Sequence, residues 1–329
     1  MKTSSYYTVE WKKHNPAAYW ICAGLTALAM AVILLWHVPF VYAEEVDQSQ
    51  DVFRFVMSHS ILDHADPQDV KIAMELWARE LLRSLDKKKY SVKVSRNFEE
   101  TQKILQKGDL DFILFSSIDY LKLRDLAKSV PILVGSNDVG ESREYLLVVR
   151  NDSGIKTVKD LRGKRIALLA EKQGSQGSIW LDVLLMRNGA WNRDAFFLRV
   201  LESTSYPRAV MAAFFDKADA AIVTRGAYET ANALNPQVGR RLHVIEKSKD
   251  LIGRISCILP STSKKLRSQL EDVGIHLHES PTGRQILTLF KFDRIIRFQP
   301  SYLTGLQELL RERDRLLAMK KKRRYRANR

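Results

Sequence analysis

The stretch that decides the fold is residues 145–178, YLLVVRNDSGIKTVKDLRGKRIALLAEKQGSQGS. Its order reads as strand, turn, short helix, strand, and then a glycine- and serine-rich turn that opens a helix. A helix start is suited to anions, because its first amide N–H groups lack intrahelical acceptors and the helix dipole favours negative charge there. Gly174 and Gly177 let the backbone approach a ligand closely, and Ser175 and Ser178 add hydroxyl donors on either side of Gln176. An ordinary Ser N-cap fits the same residues. The order of the surrounding elements bears on the choice.

Working outward, the chain keeps the same alternation. Downstream, 178–187 reads as a helix with Ile179, Leu181, Leu184 and Leu185 on its apolar face. A strand at 196–201, a helix at 206–215, and strands at 220–223 and 242–245 follow. Upstream, strands are expected at 52–57, 90–94 and 111–115, with helices at 67–85 and 98–106. Val70, Met74, Trp77, Leu81 and Leu82 form the buried stripe of the first of these helices. Helices at 264–278, 281–290 and 302–317 close the chain, the last fraying before Tyr325 as it becomes almost wholly charged. Alternation of this kind implies an α/β fold with mainly parallel sheets covered on both faces. It resolves into one lobe from 51–140 plus 256–310 and a second from 144–253. Crossings join them near 140–144 and 253–257. Ligands of open α/β sheets sit outside the carboxyl ends of the strands, so the lobes face each other across a cleft that hinge motion can close.

The chain has 329 residues, 45% of them hydrophobic, enough for two lobes with real cores. Residues 17–36 carry no charge, follow Lys12 and Lys13, and precede Val41-Tyr42-Ala43 and Glu44-Glu45. Small residues just before a polar start are what a signal peptidase needs, which predicts cleavage after Ala43. The run is also long enough to span a bilayer, so residues 1–43 are read as a signal peptide or an N-terminal membrane anchor. Either form places 44–329 outside the cytoplasm. Cys22 lies within the leader, and Cys257, in the apolar run 255–259, reads as a buried inert thiol.

The net charge of +15 is unevenly spread. Residues 311–329 hold ten basic and two acidic residues, net +8; the leader holds +2, which leaves +5 for 44–310. The basic C-terminal tail, 311–329, reads as a solvated terminus, with contact to anionic lipid as the alternative. The body has no basic stripe with interleaved aromatics, which argues against a nucleic-acid role.

The run VVRNDSGIKTVKDLRGKRIAL (148–168) resembles the opening of the second lobe in type II periplasmic binding proteins. Within these it is most similar to the phosphate/phosphite/phosphonate binding components of ABC transporters. GDLDFILFSSIDYLKL (108–123) resembles the family's third strand and next helix, which carries a ligand-facing Tyr, here Tyr120. AVMAAFFDKADAAIV (209–223) and SPTGRQILTLFKFDRIIRFQPSYLTGLQEL (280–309) resemble a later helix–strand pair and the closing segment. The resemblance covers roughly 51–310. It implies an extracytoplasmic binding protein that captures a small oxyanion and delivers it to a membrane permease as a monomer, without a cofactor.

The implied contacts depart from the family pattern. Members of this kind usually write Ser-x-Ser-Gly at the helix start, where this chain has Ser175-Gln176-Gly177-Ser178. A His often follows the next strand, where this chain has Ser203-Thr204-Ser205-Tyr206, and Thr224 and Arg225 stand where an acidic or amide group contacts ligand. Arg225 is read either as a bidentate partner for a second anionic group or as a surface charge. In the first lobe Ser58, His59 and Ser60 end a strand, and Ser116, Ser117 and Tyr120 follow another. Such hydroxyls reach into the cleft or form ordinary turns. His59 is read as a titrating contact or a satisfied surface imidazole.

No HExxH, Cys–His set, nucleophile elbow or phosphate-loop Lys occurs, so neither a metal site nor catalysis is expected. Two other readings share the fold. One is a membrane-tethered ligand-sensing receptor, and the other is an interaction protein that has lost its ligand.

Overall fold

The computed structural model describes residues 52–61, 67–85, 87–136, 142–170, 175–290 and 292–327. The leader expected at 1–43 lies outside them. Among the described residues, no helix is long and apolar enough to cross a membrane.

The first half runs β1 (Val52–Met57), α1 (Pro67–Leu82), β2 (Lys89–Val94), α2 (Phe98–Lys107), β3 (Phe112–Ser116), α3 (Ser117–Ala127) and β4 (Val130–Ser136). β5 (Ser142–Arg143) leads into β6 (Tyr145–Arg150), β7 (Arg165–Leu169), α4 (Gln176–Arg187), α5 (Arg193–Phe196), β8 (Arg199–Ser203) and α6 (Tyr206–Phe214). Then come β9 (Ala220–Thr224), α7 (Arg225–Leu234), α8 (Gln237–Arg241) and β10 (Leu242–Lys247). The chain returns through β11 (Leu251–Ile252) to β12 (Arg254–Ile258), α9 (Lys264–His276), α10 (Pro281–Leu289), β13 (Arg294–Arg297) and α11 (Thr304–Ala327).

Two sheets organise these elements. The first has six strands in the order β13-β4-β12-β3-β1-β2, and the second five in the order β10-β6-β9-β7-β8. β1, β2 and β3 are parallel, as are β7, β8 and β9. β12 and β13 pair antiparallel with their neighbours, as do β6 and β10, so each sheet is mixed where a mainly parallel one was expected. β6 and β12 arrive from the other lobe and so enter without a right-handed crossover, whereas β10 runs parallel to β9 and β13 to β12, each lying beside a strand of opposite direction.

Each sheet is covered on both faces because its strands alternate. Phe53, Phe55 and Met57 of β1 meet Phe112, Leu114 and Trp77 on one face, while Val56, Ile113 and Phe115 meet Ile104 and Leu105 on the other. In the second sheet Tyr145, Leu147 and Val149 face α4, and Leu146 and Val148 face α6. Cys257 is fully buried within the first lobe, and burial pushes its thiol well above the usual value.

The two crossings run side by side. β5 and β11 form a separate antiparallel ribbon with Leu251 opposite Arg143 and Ile252 opposite Ser142. The ribbon of the return crossing therefore ends at Ile252, and from Arg254 the chain already belongs to the six-stranded sheet as β12.

Two expected segments differ. The strand expected at 196–201 begins at Arg199, because Asn192 caps a four-residue helix over Arg193–Phe196, its side-chain oxygen accepting from Asp194 N at 2.9 Å. The basic tail expected from 311 is helical in its described part, with Leu317, Ala318, Met319, Lys321 and Lys322 exposed. It continues α11, which stays helical to Ala327 rather than fraying before Tyr325. Leu306, Leu309 and Leu316 bury against α4 in the second lobe. Arg187 pairs with Glu312, and Lys320 Nζ donates to Trp191 O at 3.1 Å. Since β13 belongs to the six-stranded sheet, α11 is a third passage between the lobes, beyond the two that were expected.

Leu316→Ala is expected to lower the free energy of unfolding by about 2–5 kcal/mol, the range for emptying a buried leucine site. Urea denaturation measures it, and a change within a few tenths would mean that this half of α11 is not packed. Cys257 is expected to resist thiol reagents in the native protein and to react once the chain is unfolded.

Candidate functional site

The helix starts of α3 and α4 meet beside the crossing ribbon. Ser175 caps α4, its Oγ accepting from Ser178 N at 3.3 Å. Ile179 N closes the first turn on Ser175 O at 2.8 Å. The amides of Gln176 and Gly177 have no acceptor among the described residues, as the first two positions of a helix dictate.

Gln176 is 7% exposed and reaches out of its own lobe. Its Nε2 donates to Ser117 Oγ at 2.9 Å and to Ile252 O at 2.5 Å. Ser117, fully buried at the first position of α3, donates its own hydroxyl to the same Ile252 carbonyl at 2.6 Å, and its amide to Gly253 O at 3.1 Å. One carboxamide thus joins the second lobe, the first lobe and the crossing strand.

Gly177 is required by close approach. A Cβ there would stand 2.9 Å from Cε1 of Tyr145. Tyr145, the first residue of β6, is held by its amide donating to Ser248 Oγ at 2.8 Å. Its ring packs 6.4 Å from Trp180 and 6.2 Å from Tyr206. Ser178 turns inward, where Arg193 Nη2 donates to its Oγ at 2.8 Å and to Asp182 Oδ1 at 2.7 Å.

In the first lobe Ser116 caps α3, accepting from Asp119 N at 3.1 Å. Ser58, fully buried at the end of β1, lies 3.1 Å from Ser60 Oγ and donates to Asp119 Oδ2 at 3.2 Å. Asp119 is 6% exposed and has no cationic partner among the described residues. His59 lies in a short 3-10 turn at His59–Ile61.

The remaining expected residues are placed elsewhere or serve as caps. Ser205 caps α6 and Thr224 caps α7, their oxygens accepting from Arg208 N at 3.4 Å and Ala227 N at 3.3 Å. Tyr120 does not join the helix starts. It packs on Phe115 with ring centroids 6.3 Å apart, in the core of the first lobe, and burial pushes its phenol up. Ile118, two residues earlier and so about 200° around the helix, joins the second-lobe core, and Leu121 of α3 packs against the same cluster. Arg225 is a structural charge: it pairs with Glu144 and, at 3.3 Å, with Glu229, and its amide donates to Glu144 O at 2.8 Å.

The structure therefore gathers Ser175, Gln176, Gly177, Ser116 and Ser117 at one place, with Ser58 behind them through Asp119 and Tyr206 through Tyr145. Asp119, Tyr145, Arg193 and the Ile252 carbonyl complete the surroundings. The sequence offers no local signal for these four, since each acts through a partner distant along the chain or from buried backbone.

Two lobes with helix starts facing across a paired crossing define a two-lobed binding protein of the type II periplasmic kind. A family model for phosphonate periplasmic substrate-binding proteins of ABC transporters matches residues 60–303, and the chain belongs to that family. Solved structures agree on the fold. A binding-protein component of an ABC phosphonate transporter from Pseudomonas aeruginosa is 15% identical, with a TM-score of 0.54 over 80% of this chain and 87% of its own. A Xanthomonas citri protein bound to ATP is 16% identical, with a TM-score of 0.55 over 82% of this chain and 98% of its own. PhnD1 from Prochlorococcus marinus, in complex with methylphosphonate, is 17% identical, with a TM-score of 0.54 over 80% of this chain and 98% of its own. No curated protein matches the sequence. The family is one of transporter substrate-binding proteins rather than enzymes, with an extracytoplasmic location, a small ligand and a membrane permease as partner.

Gly177→Ala is expected to cost about 1–3 kcal/mol, because the added methyl overpacks the Tyr145 ring. Thermal unfolding reads this loss, and a neutral result would mean that the α4 start is not held against Tyr145.

Proposed function

We propose that the protein captures a small oxyanion of the phosphate, phosphite or phosphonate kind at the start of α4 and presents the closed form to its permease. The observation that carries this reading is the pair of buried amides at Gln176 and Gly177, at the positive end of a 12-residue helix with no acceptor among the described residues. Oriented backbone donors of this kind stabilise an anion without the cost of holding long side chains. Ser175 adds a hydroxyl at the same place. Asp119 opposes negative charge at the facing start of α3, so the anionic group belongs on the α4 side and an organic substituent toward the first lobe. The methylphosphonate held by the Prochlorococcus relative is of this chemical class.

Gln176 also favours a second reading, an interaction protein whose lobes stay shut without any small ligand, because its carboxamide already bridges the helix starts. Thermal unfolding against phosphate, phosphite, methylphosphonate, sulfate and carboxylates at matched ionic strength separates the two. A ligand at a hundred times its Kd stabilises by about 2.7 kcal/mol, a shift of roughly 5–10 °C for a chain of this size. A shift with one phosphorus oxyanion is the expected result, and no shift with any member favours the interaction protein. Ser175→Ala is expected to lose about 0.5–2 kcal/mol of helix capping while also weakening binding of the responding anion. Unchanged affinity in calorimetry would remove this turn from the site.

A further inference from the structure

We infer that Gln176 is an interlobe latch: its carboxamide holds the cleft shut in the ligand-free protein, and a ligand binds by displacing it. The inference rests on the ligand site proposed above for its second half only; the latch itself needs no ligand.

The geometry is specific. Gln176 occupies the first position of α4, from which a side chain projects beyond the helix end rather than along its flank. Both of its Nε2 hydrogens are engaged, one by Ser117 at the first position of α3 and one by Ile252 O in the crossing ribbon. All three groups are buried, which excludes competing water and makes an unmade bond costly. The acceptors belong to the first lobe and to the crossing, 59 and 76 residues away along the chain, while the donor belongs to the second lobe. Rotation of one lobe away from the other must break both bonds. The carboxamide also lies between the two helix starts, where an anion bound to the Gln176 and Gly177 amides would meet the first lobe. It stands in for that ligand from within the chain. Binding is then an exchange of one set of hydrogen bonds for another, so the free protein is already closed and its affinity is lowered by the stability of the latch.

The test uses the full-length chain in detergent, with Cys22→Ser and nitroxide labels at Lys103→Cys in α2 and Thr230→Cys in α7, both exposed positions; Cys257 is fully buried. Pulsed electron resonance without ligand is expected to give one narrow interlobe distance for the parent chain. Gln176→Ala should give a longer, broader distribution. Gln176→Met, which keeps the length and burial but lacks the donors, should do the same. Ser117→Ala, which removes one acceptor of two, should fall between. Methylphosphonate titrated into Gln176→Ala should bind about tenfold more tightly than into the parent, since two ordinary hydrogen bonds no longer have to be broken. A broad, open distribution in the parent chain overturns the latch, as does a folded Gln176→Ala or Gln176→Met variant with the parent's distance. If methylphosphonate and the other anions bind neither chain, the ligand site fails while the ligand-free distances still decide the latch.

Discussion

The structure depends on how the backbone carbonyls of the returning crossing are satisfied. Residues 250–253 pass between the lobes in a two-stranded ribbon too short to pair all of its polar groups with strands. Buried carbonyls left unpaired are costly, and two helix starts converge to prevent it. Ser117 of α3 donates its hydroxyl to Ile252 O and its amide to Gly253 O, while Gln176 of α4 donates its carboxamide to Ile252 O. The first turn of α11 rests on the same strand so closely that a Cβ on Gly305 would lie 2.2 Å from Asp250 O. The proposed site and the crossing thus share Ser117 and Gln176.

This shared construction explains why most of the hydroxyls around the cleft are already engaged. Ser116, Ser175, Ser205 and Thr224 each accept the amide three residues onward, which satisfies a helix start and fixes the angle at which it leaves its strand. Ser178 is drawn behind α4 by Arg193, and Ser58 is committed to Asp119. At the proposed site, what remains for a ligand is chiefly backbone, the amides of Gln176 and Gly177, with the hydroxyl hydrogen of Ser175. A site of that kind selects for charge and size and tolerates variation in the rest of the ligand, because amides at a helix start read the oxyanion and not its substituent.

Much of this was legible in the sequence. The apolar runs of β1 and β7 and the alternation around α4 give the lobes directly, since each burial pattern is local. β4 is obscured by Pro131 and Gly135, residues that read as a turn; the sheet accommodates the proline beside a register shift between Ser256 and Cys257. β13 is four residues with arginine at both ends, too short for a periodic signal. The length of α11 is hidden because its packed leucines are spaced among charges, and only its contact with α4 distinguishes it from a solvated tail. At the site, the cap residues are legible as types. The bridge made by Gln176 is not, because a glutamine at a helix start has no local reason to be buried.

The third passage between the lobes gives the molecule a lever. α11 touches the crossing where Gly305 meets Asp250 and packs on the second lobe through Leu306, Leu309 and Leu316. Its 24 residues extend about 36 Å from that contact. Each degree of rotation at the crossing sweeps its far end by about 0.6 Å for a rod of this length. A rotation about the crossing would therefore carry the far end of the helix, where Lys320, Lys321 and Lys322 lie, further than any residue at the cleft.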